Sequence, residues 1–461
     1  MEFDIIIIGG GPAGYTAAIA AAKKNMKVAL VEKDSLGGTC LNRGCIPTKA
    51  ILHTAKLYWQ LKHHQQKGIN YQDLSYDSQQ AYINKDEIVS RLLKGIKQLL
   101  DANKITIYHD EATLAGEHEV LLINNDQLLK GEYIIIATGT NIVRLPFINE
   151  KLKHIYTSDD LLKTPIKEKQ VTIFGGGVIG CELATYLYQT DHDVSIIELT
   201  PSLLPGVDRE LSQSLQMNLR KNGVNIITNA RVSSCANNDD ALVITYQKDE
   251  QTLIHHTEAI ICAVGRSANT ATLNLEKLNI VTDRNFIKVD QNYQTNIKSI
   301  YAIGDVNGKQ QLAHVAAAQA LDCIAYITNE PQRFSDKTIP YGIYTNPEIA
   351  YVGISEEQLK LKQQPYQSSK FIMTNNGRHL IACDDRSFVK VVFVDDVIVG
   401  AQLFMKNATE YAAFLATAID NKLTYQQLSA SIYPHPTISE GLKEAIENIH
   451  GEAIHIAPIK R

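Results

Sequence analysis

The sequence predicts an α/β fold in which two dinucleotide-binding βαβ units are followed by a separate C-terminal α+β domain. A G-x-G-x-x-G motif occurs twice, at Gly9-Gly10-Gly11-Pro12-Ala13-Gly14 and at Gly175-Gly176-Gly177-Val178-Ile179-Gly180. Each copy follows a short apolar run and opens a helical stretch, and each unit closes on an acid, Glu32 or Glu198. From about residue 339 the motif does not recur, and apolar runs at 388–394 and 397–404 mix with helical stretches near 354–361 and 407–421.

The first unit reads as strand 4–8, an Ala-rich helix to about residue 24 and strand 28–31; the second as strand 171–174, a helix to about 189 and strand 194–197. In such a unit the first glycine (Gly9, Gly175) permits the tight turn after the strand. The second (Gly11, Gly177) lets the backbone approach a pyrophosphate, and the third (Gly14, Gly180) allows close helix–sheet packing. The phosphate sits on the helix N-terminus, and the terminal acid accepts hydrogen bonds from ribose hydroxyls. Two dinucleotides are therefore expected. Between the copies, 46–64 and 86–102 read as amphipathic helices, joined by a polar surface connection over 63–80. Three further apolar runs, 133–137, 259–264 and 299–303, read as strands that end in Thr138-Gly139, Gly265-Arg266 and Gly304-Asp305.

Composition narrows the class. At 461 residues, with 44% hydrophobic and 21% charged residues, the chain suits a soluble protein of two to four domains. A net charge of −5 argues against a nucleic-acid partner, whose binding comes from clustered Lys and Arg. No apolar run approaches the ~18 residues of a membrane span. The first ten residues, MEFDIIIIGG, carry an acid where a secretory signal would carry positive charge, so the cytoplasm is the expected compartment.

Seven cysteines stand at 40, 45, 181, 235, 262, 323 and 383, and only Cys40 and Cys45 form a close pair. An odd count with one close pair is not an extracellular disulfide framework. No second Cys/His pair has zinc spacing, so no metal is expected. A structural disulfide here would close too small a loop to constrain the unfolded chain much. The segment Gly37-Gly38-Thr39-Cys40-Leu41-Asn42-Arg43-Gly44-Cys45-Ile46-Pro47-Thr48-Lys49 instead suits redox chemistry. Pro47 fits the first turn of a following helix. Cys45 then sits at that helix's N-terminus, where the dipole favours thiolate, the form that attacks disulfides.

These motifs resemble the pyridine nucleotide–disulfide oxidoreductases over essentially the whole chain. The likeness continues through Ala137-Thr138-Gly139, Ala263-Val264-Gly265-Arg266, Tyr301-Ala302-Ile303-Gly304-Asp305 and the late His435-Pro436-Thr437…Glu440. The resemblance implies Rossmann-like domains for FAD and NAD and a C-terminal dimerisation domain. The expected divisions are 1–145 for FAD, 146–268 for NAD, 269–338 returning to the FAD-binding part, and 339–461 for dimerisation. It also implies that the first motif, with Glu32, Thr39, Lys49, Thr138, Gly139 and Asp305, holds FAD, Ala112 and Ala313 being further contacts. The second motif, with Glu198 and Gly265, would hold the nicotinamide nucleotide. Cys40 would exchange with substrate, and Cys45 would face the flavin. Lys49 and Glu182 would pair beside the flavin. His435, oriented by Glu440, would be the acid–base, reaching the cysteines of the other subunit of a homodimer.

Glu198 favours NAD over NADP, because a carboxylate bonds a free 2′-hydroxyl and repels a 2′-phosphate. Within the family the Cys40–Lys49 segment, Leu312-Ala313-His314-Val315, Val178 and the 435–440 segment look most like lipoamide dehydrogenase. That implies oxidation of dihydrolipoamide by NAD, with the lipoyl domain of a 2-oxo acid dehydrogenase or glycine cleavage complex as partner. The alternative is an NAD(P)H-dependent reductase of another disulfide or oxidant. The tail lacks the paired cysteines of mercuric reductase and of large thioredoxin reductase. Two departures stand out: Ala268 where the family usually has Pro, and Tyr433 where lipoamide dehydrogenases often carry a second His.

Overall fold

Strands with unbroken apolar runs must be covered on both faces, and the first unit's sheet is built that way. Its parallel core orders the strands Thr106–His109, Val28–Glu32, Phe3–Ile8, Gln127–Ile136 and Ile300–Ala302. Ile5, Ile6, Ile7 and Ile134–Ile136 are fully buried. One face is covered by the small side chains of helix Pro12–Ala22, which share a core with Ala316 and Ala320 of helix Ala313–Ile327. The hairpin Ala112–Gly116 and Glu119–Leu122 adds antiparallel strands along the first half of Gln127–Ile136.

The computed structural model describes residues 2–63, 68–148, 152–238, 241–334, 338–382 and 386–457. Cys383 and part of the expected polar connection, 64–67, lie outside the described residues. The chain packs as two units: Met1–Lys167 with Ile261–Phe334, and Glu168–Ile260 with Ser335–Arg461.

Some first-unit elements differ in extent from their expected bounds. The helix expected at 86–102 starts at Ser78, because the Asp77 side chain accepts the Gln80 N–H at 3.0 Å and caps it. The strand expected at 133–137 starts at Gln127, where residues alternate in burial before the fully buried Ile run.

In the second unit, strands Asn225–Ile227, Asp193–Ile197 and Gln170–Phe174 lie parallel, joined by helices Val178–Gln189 and Arg209–Lys221. An antiparallel meander, Arg231–Asn238, Ala241–Lys248 and Gln251–Thr257, follows. The C-terminal part is a five-stranded antiparallel sheet in the order Tyr341–Ile343, Glu348–Gly353, Val397–Met405, Phe388–Val394, Gln367–Ile372. Helices Ala408–Asp420 and Ser439–Glu447 share its core through Ala412, Leu415, Leu442 and Ile446.

A buried ion cluster ties this sheet to helix Arg209–Lys221. Lys390 is 4% exposed, and its Nζ lies 3.2 Å from Asp208 Oδ2, 3.1 Å from Glu210 Oε2 and 3.5 Å from Glu356 Oε2. Asp208 also caps the helix, accepting the N–H groups of Glu210 and Leu211. Lys390→Met would leave Asp208 buried without its cation. The expected cost is about 3–5 kcal/mol, read as a lower urea midpoint in equilibrium unfolding with the slope unchanged.

Candidate active site

The first nucleotide turn is shaped by contacts only glycine allows. Gly9 has φ +105°, and a Cβ on Gly14 would lie 1.7 Å from the Gly9 carbonyl oxygen. Helix Pro12–Ala22 therefore starts directly on the turn, capped by Gly11 without any side-chain hydrogen bond. Its first N–H groups suit a phosphate. Glu32 closes the turn: Oε2 accepts the Gly10 N–H at 2.7 Å and Oε1 the Asp34 N–H at 2.8 Å. Each oxygen keeps a lone pair for a ribose hydroxyl. Ala112 is buried at the start of the neighbouring hairpin strand.

The cysteine segment is laid against that turn, backbone on backbone. Gly37 N–H donates to the Gly10 carbonyl at 2.8 Å, and a Cβ on Gly38 would come within 2.7 Å of Gly11 Cα. Cys40 lies in the short helix Gly38–Arg43, and Cys45 is the first residue of helix Cys45–His63. Gly44 makes the break between them with φ −147° and ψ −113°. A Cβ there would meet the Thr39 carbonyl oxygen at 2.9 Å. Both cysteines are half-buried. A hydrogen bond to Cys45, then burial, then negative charge on Cys45 push the Cys40 pKa far above the ordinary thiol range, against the pull of Lys49.

Arg266 braces this segment. Its Nε donates to Thr140 Oγ1 at 2.8 Å and its Nη2 to the Thr140 carbonyl at 2.7 Å and to Thr39 Oγ1 at 3.5 Å. Thr140 Oγ1 donates in turn to Asp305 Oδ2 at 3.2 Å. Burial raises the Asp305 pKa, outweighing Thr140 and Arg266. Thr138 Oγ1 donates to the Asn269 carbonyl at 2.7 Å, and Asn269 N–H donates to the Gly139 carbonyl at 3.0 Å, holding Gly139 at φ +69°. Ala313 opens helix Ala313–Ile327, which no side chain caps. Gly265 has φ +117° with open space where a Cβ would stand.

The second turn repeats the first. Gly175 has φ +100°, and a Cβ on Gly180 would lie 2.0 Å from the Gly175 carbonyl oxygen. Gly177 caps helix Val178–Gln189, again without a side-chain bond. Glu198 Oε2 accepts the Gly176 N–H at 2.5 Å, and Oε1 accepts the N–H and Oγ1 of Thr200 at 2.7 and 2.8 Å. Glu182, on the same helix, is buried and accepts the Tyr344 N–H at 2.9 Å.

Near the end of the chain, His435 precedes a cis peptide bond to Pro436. Its Nδ1 lies 2.9 Å from Glu440 Oε1, and Glu440 Oε2 accepts the Thr437 N–H at 2.7 Å. Burial pushes the Glu440 pKa up, but the Thr437 N–H, the His435 hydrogen bond and the charges of His435 and His455 together hold it below the ordinary range. His435 is 81% exposed, and with Nδ1 held, Nε2 is the nitrogen left to exchange a proton.

The pyridine nucleotide-disulphide oxidoreductase family matches residues 3–320, and that family's dimerisation domain matches 339–446. The chain belongs to this family. It is 34% identical over 462 residues to the dihydrolipoyl dehydrogenase of Geobacillus stearothermophilus, covering 99% of this chain and 98% of that protein. The dihydrolipoyl dehydrogenase of Bacillus subtilis strain 168 is also 34% identical, over 473 residues, covering 98% of this chain and 99% of that protein. Among solved structures it is similar to the HOCl-induced flavoprotein disulfide reductase RclA of Escherichia coli. That likeness has a TM-score of 0.87 at 28% identity and covers 96% of this chain and 99% of that one.

The oxidoreductase works with FAD and NAD, and both glycine turns fit a dinucleotide: each leaves an uncapped helix start facing a carboxylate that is bonded to the turn. The expected residues fall into separate groups. The first glycine motif, Glu32, Thr39, Cys40, Cys45, Lys49, Ala112, Thr138, Gly139, Gly265, Asp305 and Ala313 belong to the first unit. The second motif, Glu182, Glu198, His435 and Glu440 belong to the second. Sequence reasoning gave no bracing role to Arg266, Thr140 or Asn269. The Gly265-Arg266 pair was the available signal, but its partner Thr140 lies 126 residues earlier.

Proposed function

We propose that this enzyme oxidises dihydrolipoamide to lipoamide, passing the electrons through the Cys40–Cys45 pair and FAD to NAD. The observation that carries the reading is Cys45 at a helix start, in a segment with Cys40 whose Gly37 and Gly38 pack on the first nucleotide turn. Support for the substrate comes from the 34% identity to dihydrolipoyl dehydrogenases over nearly the full length.

In the oxidised enzyme a substrate thiolate attacks Cys40 Sγ, breaking the Cys40–Cys45 bond and releasing Cys45 as thiolate. His435 Nε2 takes the substrate proton, and Glu440 holds the imidazole in place from Nδ1. The second substrate thiol gives up its proton as its sulfur attacks the first, closing lipoamide and breaking the mixed disulfide to Cys40, which takes up a proton and leaves as a thiol. Cys45, at its helix N-terminus, is the sulfur whose negative charge the site favours. The Gly9–Gly14 turn, Glu32, Thr39, Lys49, Ala112, Thr138, Gly139, Asp305 and Ala313 would hold FAD, which would supply the two-electron relay from dithiol to nucleotide. The Gly175–Gly180 turn with Glu198 and Gly265 would hold NAD, and Lys49 and Glu182 would serve the flavin. The enzyme is a cytoplasmic homodimer in which His435 serves the partner's cysteines, and it acts on the lipoyl domain of a 2-oxo acid dehydrogenase or glycine cleavage complex.

A second reading, NAD(P)H-driven reduction of another disulfide or oxidant, draws on the likeness to RclA and on Tyr433. The test compares NADH formation from dihydrolipoamide with NAD(P)H consumption on glutathione disulfide and other oxidants. Rapid dihydrolipoamide oxidation is expected; oxidant reduction without it overturns the first reading.

A further inference from the structure

A second histidine–carboxylate pair follows the first along one helix. Glu440 and Glu444 both lie in helix Ser439–Glu447, four residues apart, which puts them on one face at about 6 Å. Glu444 is 8% exposed; its Oε1 lies 2.7 Å from His455 Nδ1, and its Oε2 accepts the His455 backbone N–H at 2.9 Å. The chain thus folds back over eleven residues to set an imidazole against a buried carboxylate next to the one that orients His435.

The neighbouring charges are accounted for elsewhere. Lys443 pairs with Glu447, Tyr425 Oη donates to Glu452, and His450 Nε2 lies 2.9 Å from Asp396. Burial, and then the charge of Glu447, raise the Tyr433 pKa. The two pairs feel each other. Glu440 is held down by His435 and also by His455, while His455 is held up first by Glu444 and further by Glu440.

We propose that His455 is a positioning residue for the reaction: held by Glu444, its positive charge offsets that buried anion and so sets the pH at which the His435–Glu440 pair gives up its proton. This rests on the assignment of His435 as the acid–base. The sign follows from charge. Without the His455 cation, Glu444 adds an uncompensated negative field beside Glu440, which favours imidazolium at His435.

In the holoenzyme, His455→Gln keeps a hydrogen-bond donor for Glu444 but loses the charge. It is expected to move the acid limb of kcat/KM for dihydrolipoamide upward by about 0.5 pH unit. The double variant His455→Gln/Glu444→Gln removes both charges and should return the limb to the wild-type position. His450→Gln, which loosens the same terminal turn through a different carboxylate, should not move it. The same ordering is expected for the His435 imidazole titration followed by NMR in histidine-labelled holoenzyme, with His435→Gln identifying the resonance. No shift in His455→Gln, an equal shift in His450→Gln, or no return in the double variant overturns the proposal. The imidazole titration needs no turnover, so a failure to oxidise dihydrolipoamide would sink the proposed function while the titration still decides this inference.

Discussion

Cys40→Ser is expected to lower dihydrolipoamide oxidation by about 10³-fold or more, the scale seen when a group that forms the covalent intermediate is removed. The substitution takes away the sulfur that substrate attacks and leaves Cys45 on its helix N-terminus. The purified protein should still be yellow, and its spectrum should show a long-wavelength charge-transfer band between the Cys45 thiolate and the flavin. Cys45→Ser should lose activity to the same degree and lose that band as well. The asymmetry follows from placement: Cys45 opens helix Cys45–His63, whose N-terminus favours a thiolate, while Cys40 lies inside the short helix Gly38–Arg43. Steady-state rates and visible absorption spectra of the two variants check it. Equal bands in both, or substantial activity in either, would show that the sulfurs do not divide the work this way.

Features governed by local sterics were legible in the sequence. Gly14 and Gly180 are required by contacts with residues five positions earlier, so the motif spacing alone reveals them. The start of the Cys45–His63 helix was legible because Pro47 tolerates a first-turn position that few other sites accept. The short helix around Cys40 was not. Six residues make too little helix to signal a period, and this one is held by Gly37 N–H on Gly10 and by the Asn42 side chain on the carbonyls of Leu36 and Gly38. The meander strand Arg231–Asn238 was equally silent, since RVSSCANN carries too few apolar residues to alternate. Lys390 and His455 escaped notice for another reason. A lysine in a strand and a histidine near a terminus read as solvated, and only tertiary packing brings Asp208 to one and Glu444 to the other.

His435→Gln is expected to slow dithiol oxidation by about 10²–10⁴-fold, the usual contribution of a placed general base. Reduction of the enzyme by NADH, which needs no proton taken from a thiol substrate, should proceed at close to the wild-type rate in stopped flow. Glu440→Gln should cost less, because the amide can still bond Nδ1 while no longer stabilising the imidazolium. The pH dependence separates orientation from base strength. Glu440 has a folded pKa below its unfolded value, so the pair's contribution to stability is complete above the ordinary carboxylate pKa and is lost only as pH falls through the depressed one. Between that depressed value and neutrality, the carboxylate is ionised and holds the imidazole from Nδ1. Any acid-side decline of activity over that range should therefore leave the fold around His435 intact, and thermal unfolding across the same pH range should show no matching loss. A variant that lost stability and activity together over that range would mean the carboxylate, and not the imidazole, was titrating.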